Sequence, residues 1–251
     1  MTKIIFLILF LCPLVVYAKT VHVLVALCDN WHQRIYPVPL KLGNGNDPEN
    51  NLYWGAMYGV KTFFKNDKNW VLVQEIRDPA PDIMRRAVFK HKPSDTWMVA
   101  DAYRGSKIKR TIEDFLDFTA GDREEKISVS FGGQEKMLAI GGGADLIAYV
   151  GHNGLMDFSL NETPAAKNEG KRETVILACY SKSYFQGLVE KAGGAALVWT
   201  RGKMAPEAYV LRAVLESWAA GKTKAHTNEV AAKAYAKYQK ISEKAAQKLF
   251  Y

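Results

Sequence analysis

Short apolar runs, each ending abruptly in a polar cluster, recur along this chain and limit what it can fold into. Residues 21–27, 145–150, 174–177 and 195–199 are too short for buried helices and are rich in valine, isoleucine, leucine and alanine. Runs of this length bounded by polar residues are expected as strands covered on both faces. Residues 70–76 and 96–103 are read the same way, and 127–131 with 136–140 form an expected hairpin around Gly132-Gly133. Helical spacing is expected over 52–64, near 82–89 after Pro79 and Pro81, and over 108–120, 184–191, 206–220 and 228–249. Strands alternating with helices argue for an α/β fold with a mostly parallel central sheet. No linker-like stretch divides the chain, so one domain is expected over 19–251.

Residues 1–18 read as a leader. Lys3 precedes an apolar stretch from 4 to 16, and Val16-Tyr17-Ala18 places small residues at the −3 and −1 positions. That is the plan of a cleaved secretory signal peptide, so an exported protein, periplasmic or secreted, is expected. No later stretch is long and apolar enough for a transmembrane span. Losing Lys3 lowers the formal net charge of +8 by one. Much of the remaining excess lies on Lys233, Lys237, Lys240, Lys244 and Lys248, which interleave with alanine and glutamate as on a solvated helix face. No recognition motif accompanies the charge, so nucleic acid is not an expected partner.

Removal of Cys12 with the leader leaves Cys28 and Cys179, too few for a disulfide-stapled fold but enough for one bridge or a free nucleophile. No histidine pair has metal-ligand spacing, and residues 44–51 lack the calcium-loop pattern, so no metal is expected. Gly141 to Gly143 is not followed by the Lys-Ser/Thr of a phosphate loop.

In open parallel sheets, ligands bind where strands end at their carboxyl edge. The expected ends here are Cys28-Asp29-Asn30, His152-Asn153-Gly154, Cys179-Tyr180-Ser181 and Thr200-Arg201. A thiol and an imidazole on two such ends suit nucleophilic acyl transfer: His152 takes the proton of Cys179, and backbone N–H groups stabilise the oxyanion.

Two segments resemble a known family. Ala178-Cys179-Tyr180-Ser181-Lys182-Ser183-Tyr184-Phe185 is similar to the Ala-Cys-x-Ser-Gly-Ser-x-Phe segment of the legumain branch of the caspase-like cysteine peptidases. Asp145 to His152 resembles that family's strand lead-in to its histidine, and the first strand ending at Asn30 resembles its first strand. The resemblance implies a three-layer α/β sandwich and a peptide or protein substrate cleaved through a thioester. It implies His152 and Cys179 as catalytic residues, Asn30 orienting the histidine, an oxyanion site at Cys179 with the glycine after the histidine, and no cofactor.

Three positions depart from the pattern. Asn153 separates His152 from Gly154, so the oxyanion donor falls to one or the other. Lys182 replaces a glycine. Leu177, two before the cysteine, carries no charge that would set side-chain preference. Asp145 and Asp157 are candidate supports for His152, with turn or cap roles as the alternative, and Arg201 with Leu177 would line the substrate pocket. The departures keep a second reading open, a catalytically silent module binding a peptide or cell-surface partner.

Overall fold

The computed structural model describes residues 18–167 and 172–250. The expected leader, Ala18 apart, lies outside them. Seven strands form the central sheet: β1 (Lys19–Ala26), β2 (Trp70–Ala80), β3 (Ile83–His91), β4 (Thr96–Tyr103), β7 (Leu146–Val150), β8 (Arg172–Leu177) and β9 (Gly194–Val198). Their spatial order is β2-β3-β4-β1-β7-β8-β9. Pairing from β4 through β1, β7 and β8 to β9 is parallel, and β3 alone runs against the other six. A separate hairpin, β5 (Glu124–Phe131) with β6 (Gln134–Gly141), turns at Gly132-Gly133.

Alternation along the strands explains the layering. Val21, Val23, Val25, Ala148, Val150, Val175 and Leu177 point to one face. There they meet α1 (Val60–Lys65), α4 (Ala208–Ala219), α5 (Lys224–Gln239) and α6 (Glu243–Phe250). Leu24, Ala26, Ile147, Tyr149, Ile176 and Ala178 point the other way, onto α2 (Ile108–Thr119) and α3 (Ser181–Lys191). Val129, Leu138 and Ile140 of the hairpin extend that second layer over Val88, Trp97 and Val99. The result is an α/β fold with helices on both faces of a mostly parallel sheet, consistent with a three-layer sandwich. Register is strongly specified, because a one-residue slip of β1 would drive His22 into the apolar α4/α5 face.

Three expected helices differ. Where a helix is expected near 82–89, the chain forms strand β3 (Ile83–His91). Pro79 and Pro81 sit at the β2–β3 hairpin turn, and Ala87 and Phe89 face one layer while Val88 faces the other, a period of two. Of the helix expected over 52–64, only α1 is regular. The preceding chain wraps around Asn51, whose carbonyl accepts the N–H groups of Trp54, Gly55 and Ala56. Its buried amide also bonds the Cys28 N–H (3.0 Å) and carbonyl (2.8 Å), fastening this loop to the end of β1. The helix expected over 228–249 is two helices, α5 and α6, broken at Lys240, which adopts the left-handed conformation (φ 54°) of a helix stop. Among the described residues, no helix is long and apolar enough to cross a membrane.

Candidate active site

Register places the two candidate residues. Val150 of β7 pairs with Leu177 of β8, so His152 and Cys179 each lie two residues beyond a paired position on adjacent strand ends. Two bonds join the ends. The Gly151 N–H donates to the Leu177 carbonyl (3.2 Å), and the Asn153 side-chain amide donates to the Cys179 carbonyl (2.7 Å). Asn153 is fully buried, and its side-chain oxygen also accepts the Leu155 N–H. The residue inserted between His152 and Gly154 is therefore a clamp between the two loops.

His152 is held from two directions. Its carbonyl accepts the Tyr149 hydroxyl (2.6 Å), and its ring Nε2 lies 2.7 Å from Asp157 Oδ2. An ionised carboxylate only accepts, so Nε2 carries the proton and Nδ1 keeps the lone pair. Nδ1 has no hydrogen-bond partner among the described residues. The pair is mostly buried, with side-chain exposures of 10 % for His152 and 20 % for Asp157.

Cys179 stands in a turn fixed to the end of β9. The following residue, Tyr180, takes the left-handed conformation (φ 51°), which costs a non-glycine residue about 1–2 kcal/mol. Neighbouring bonds hold it there. The Tyr180 N–H donates to the Gly202 carbonyl (2.8 Å), the Lys182 N–H to the Thr200 carbonyl (2.9 Å) and the Thr200 N–H to the Ser181 hydroxyl (2.8 Å). Strain retained at such a turn is common where a side chain is presented for function. The Cys179 sulfur faces the Met204 peptide, accepting its N–H (3.3 Å) and donating to its carbonyl (3.5 Å).

Both thiols are free. Burial pushes the Cys28 thiol up to about 11, relieved in part by a hydrogen bond with Tyr53 and raised further by nearby Asp29. Cys28 is thus a core thiol, protonated near neutral pH. Burial likewise pushes the Tyr53 hydroxyl far up, with the Cys28 thiol adding to it.

The remaining sequence-derived residues are placed as follows. Gly154 donates its N–H to the His152 carbonyl (3.1 Å), whereas the N–H groups of Asn153 and Cys179 make no hydrogen bond among the described residues. Asn30 is not at the histidine: its side-chain amide bonds the Val38 carbonyl (2.8 Å) and N–H (3.0 Å) in its own loop. Asp145 lies at the opposite end of β7, accepting the Thr20 N–H (2.6 Å), so Asp157 and not Asp145 meets the ring. Leu177 is fully buried in the α4/α5 layer and therefore lines no cleft. Arg201 is exposed and lines a cavity beside the Met204 loop.

Sequence reasoning gave no weight to Met204, whose contact with the sulfur is made by backbone. It also missed a second pair at this edge, His32 Nδ1 with the buried Asp29 carboxylate (2.9 Å). The polar run Asp29 to His32, three residues apart, was the available signal. Glycines pack this loop tightly, since a Cβ on Gly45 would fall 2.3 Å from Asp29 Oδ2. Among the described residues, no group of three or more His, Cys, Asp or Glu side chains is placed to hold a metal ion. Comparison of the chain with protein-family models, curated proteins and solved structures finds no match.

Proposed function

We propose that this protein is an exported cysteine peptidase of caspase-like type, cleaving peptide bonds with Cys179 as nucleophile and His152 as general base and acid. The observation that carries the reading is the joined pair of adjacent strand ends: one bears His152, its ring oriented by Asp157 and its Nδ1 without a hydrogen-bond partner among the described residues, and the other bears Cys179.

In the proposed reaction, His152 Nδ1 takes the thiol proton and the sulfur attacks the scissile carbonyl. The oxyanion is received by the unoccupied N–H groups of Asn153 and Cys179. The tetrahedral intermediate collapses to a thioester as His152 returns the proton to the leaving amine. Water, deprotonated by the same nitrogen, attacks the thioester, and the acid product and free thiol are released. Asp157 fixes the tautomer and balances the imidazolium that forms. No cofactor enters these steps.

The second reading, a silent module that binds a peptide or cell-surface partner, draws on one observation. The Cys179 sulfur already exchanges hydrogen bonds with the Met204 peptide. A peptide library separates the two. The native chain is expected to release new amino termini, and Cys179→Ala to release none. Equal hydrolysis by native and variant chains overturns the peptidase reading, and retained peptide binding with no hydrolysis by either favours the silent one.

A further inference from the structure

The loop that holds the Cys179 sulfur also forms one wall of a cationic groove. Arg201, Lys203, Tyr235, Gln239, Lys248 and Leu249 are among the residues enclosing a cavity of about 350 Å³. Three of these are cations, and no aspartate or glutamate lines the cavity. Arg201, Lys203 and Lys248 form no ion pair among the described residues, unlike Arg86, Arg123 and Arg212, whose charges are met by aspartates. Glu207 approaches the groove residue Gln239 (3.4 Å) and accepts the Tyr209 hydroxyl (3.0 Å), and burial raises its pKa.

The groove and the sulfur share a short stretch of chain. The Tyr180 N–H, next after Cys179, bonds the Gly202 carbonyl on the groove wall. Met204 faces the sulfur, and the Ala205 N–H donates to the Tyr235 hydroxyl (3.2 Å) on the groove floor. Burial pushes that hydroxyl up, against the lowering effect of the Ala205 bond. The Arg201 N–H bonds the Leu249 carbonyl (2.8 Å), which closes the far side.

We infer that this groove seats a carboxylate of the molecule presented to Cys179, held by Arg201, Lys203 and Lys248. The inference rests on the peptidase reading for the role of Cys179, but the groove's preference for anions stands apart from hydrolysis. Guanidinium and ammonium groups bind carboxylates through charge-assisted hydrogen bonds, and clustered cations raise the local concentration of anions. In a peptide the carboxylate has two sources, an acidic side chain or the free carboxy terminus.

Two alkylating agents of nearly equal shape, anionic iodoacetate and neutral iodoacetamide, test the groove without any substrate. Each forms an S–C bond at Cys179 with loss of iodide, followed by peptide mass mapping. The ratio of the iodoacetate to the iodoacetamide rate is expected to fall about ten-fold in Arg201→Gln/Lys203→Gln/Lys248→Gln, the ratio cancelling any change in thiolate fraction, which slows both agents equally. The native ratio is also expected to fall as ionic strength rises from about 0.01 M to about 1 M, where the screening length shrinks from about 30 Å to about 3 Å. A ratio that neither the substitutions nor salt alters overturns the inference.

Peptide binding to the full-length Cys179→Ala chain identifies the source and decides the matter if neither agent reaches the sulfur. Three peptides are compared: one with an internal glutamate and amidated end, one neutral with a free carboxy terminus, and one neutral and amidated. Tighter binding of the first or second, lost in the triple glutamine background, supports the groove and names its carboxylate. Equal affinity of all three overturns it. A charge-dependent ratio without peptide hydrolysis would retain the groove and reject the peptidase, and the reverse pattern would do the opposite.

Discussion

His152→Ala is expected to lower the peptide hydrolysis rate about 10²- to 10⁴-fold, the range for losing a positioned general base and acid. Only the imidazole is removed, so stability should change little: the ring meets Asp157 on one side, and the bond from Tyr149 is made to the backbone carbonyl, which alanine retains. Asp157→Asn is expected to have a smaller effect, about ten- to a hundred-fold, because the Asp157 side chain is 20 % exposed and water replaces part of its field. The asparagine amide would also permit the wrong tautomer, with the proton on the nitrogen meant to receive one. Steady-state kinetics on the same peptide for all three chains gives the order native, Asp157→Asn, His152→Ala. A rate unchanged in His152→Ala would remove the imidazole from the mechanism.

The second large effect is on stability. Asp101 on β4 is fully buried between the sheet and the hairpin. It accepts two bonds from the Arg86 guanidinium (2.7 Å each) and one from His22 Nε2 (3.0 Å). His22 Nδ1 accepts the Gly141 N–H (3.0 Å), so Nε2 carries the ring proton and the network reaches the hairpin strand β6. Asp101→Ala would leave the Arg86 charge buried without its partner. The expected loss is about 3–5 kcal/mol, or roughly 6–20 °C in the thermal midpoint. Arg86→Met with Asp101→Leu removes both charges and is expected to recover most of that loss.

The sign of the pH dependence follows from the same contacts. Burial alone would push the Asp101 carboxyl up, but the bonds from Arg86 and His22 outweigh it and hold the group below the usual carboxylate range. A depressed carboxyl stabilises the fold above its unfolded value, about 4, and that stabilisation fades as pH falls through the folded value. Urea unfolding of native and Asp101→Ala chains should therefore differ most near neutral pH and converge in acid. A constant difference down to about pH 2 would contradict the assignment.

How much of this was legible beforehand depended on distance along the chain. The parallel strands were readable because each carries its own period and its own polar stop, as at Val150-Gly151-His152 and Leu177-Ala178-Cys179. The turn at Pro81 misled, because proline after a strand ends it equally well before a helix or before a hairpin. Misreading β3 hid the Arg86–Asp101 pair, which exists only through that antiparallel pairing. The break at Lys240 was hidden because lysine has no local preference for the left-handed conformation it adopts there. At the site, His152 and Cys179 stood out by residue type. Asp157 was readable as a candidate support, but not that it rather than Asp145 meets the ring; Asn153 as a clamp and Met204 as the sulfur's neighbour depend on loop geometry that composition does not encode. Asn30 and Asp145 carried plausible chemistry but were placed by sequence position alone, and the chain path takes their side chains elsewhere.

The most direct test is to catch a peptide substrate mid-reaction by rapid acid quench and map the covalent adduct by mass. The acyl group is expected as a thioester on the fragment carrying Cys179, formed by the native chain and missing when His152 is alanine. Turnover without any adduct on that fragment, or with one on another residue, would show that the sulfur at the end of β8 is not the attacking group.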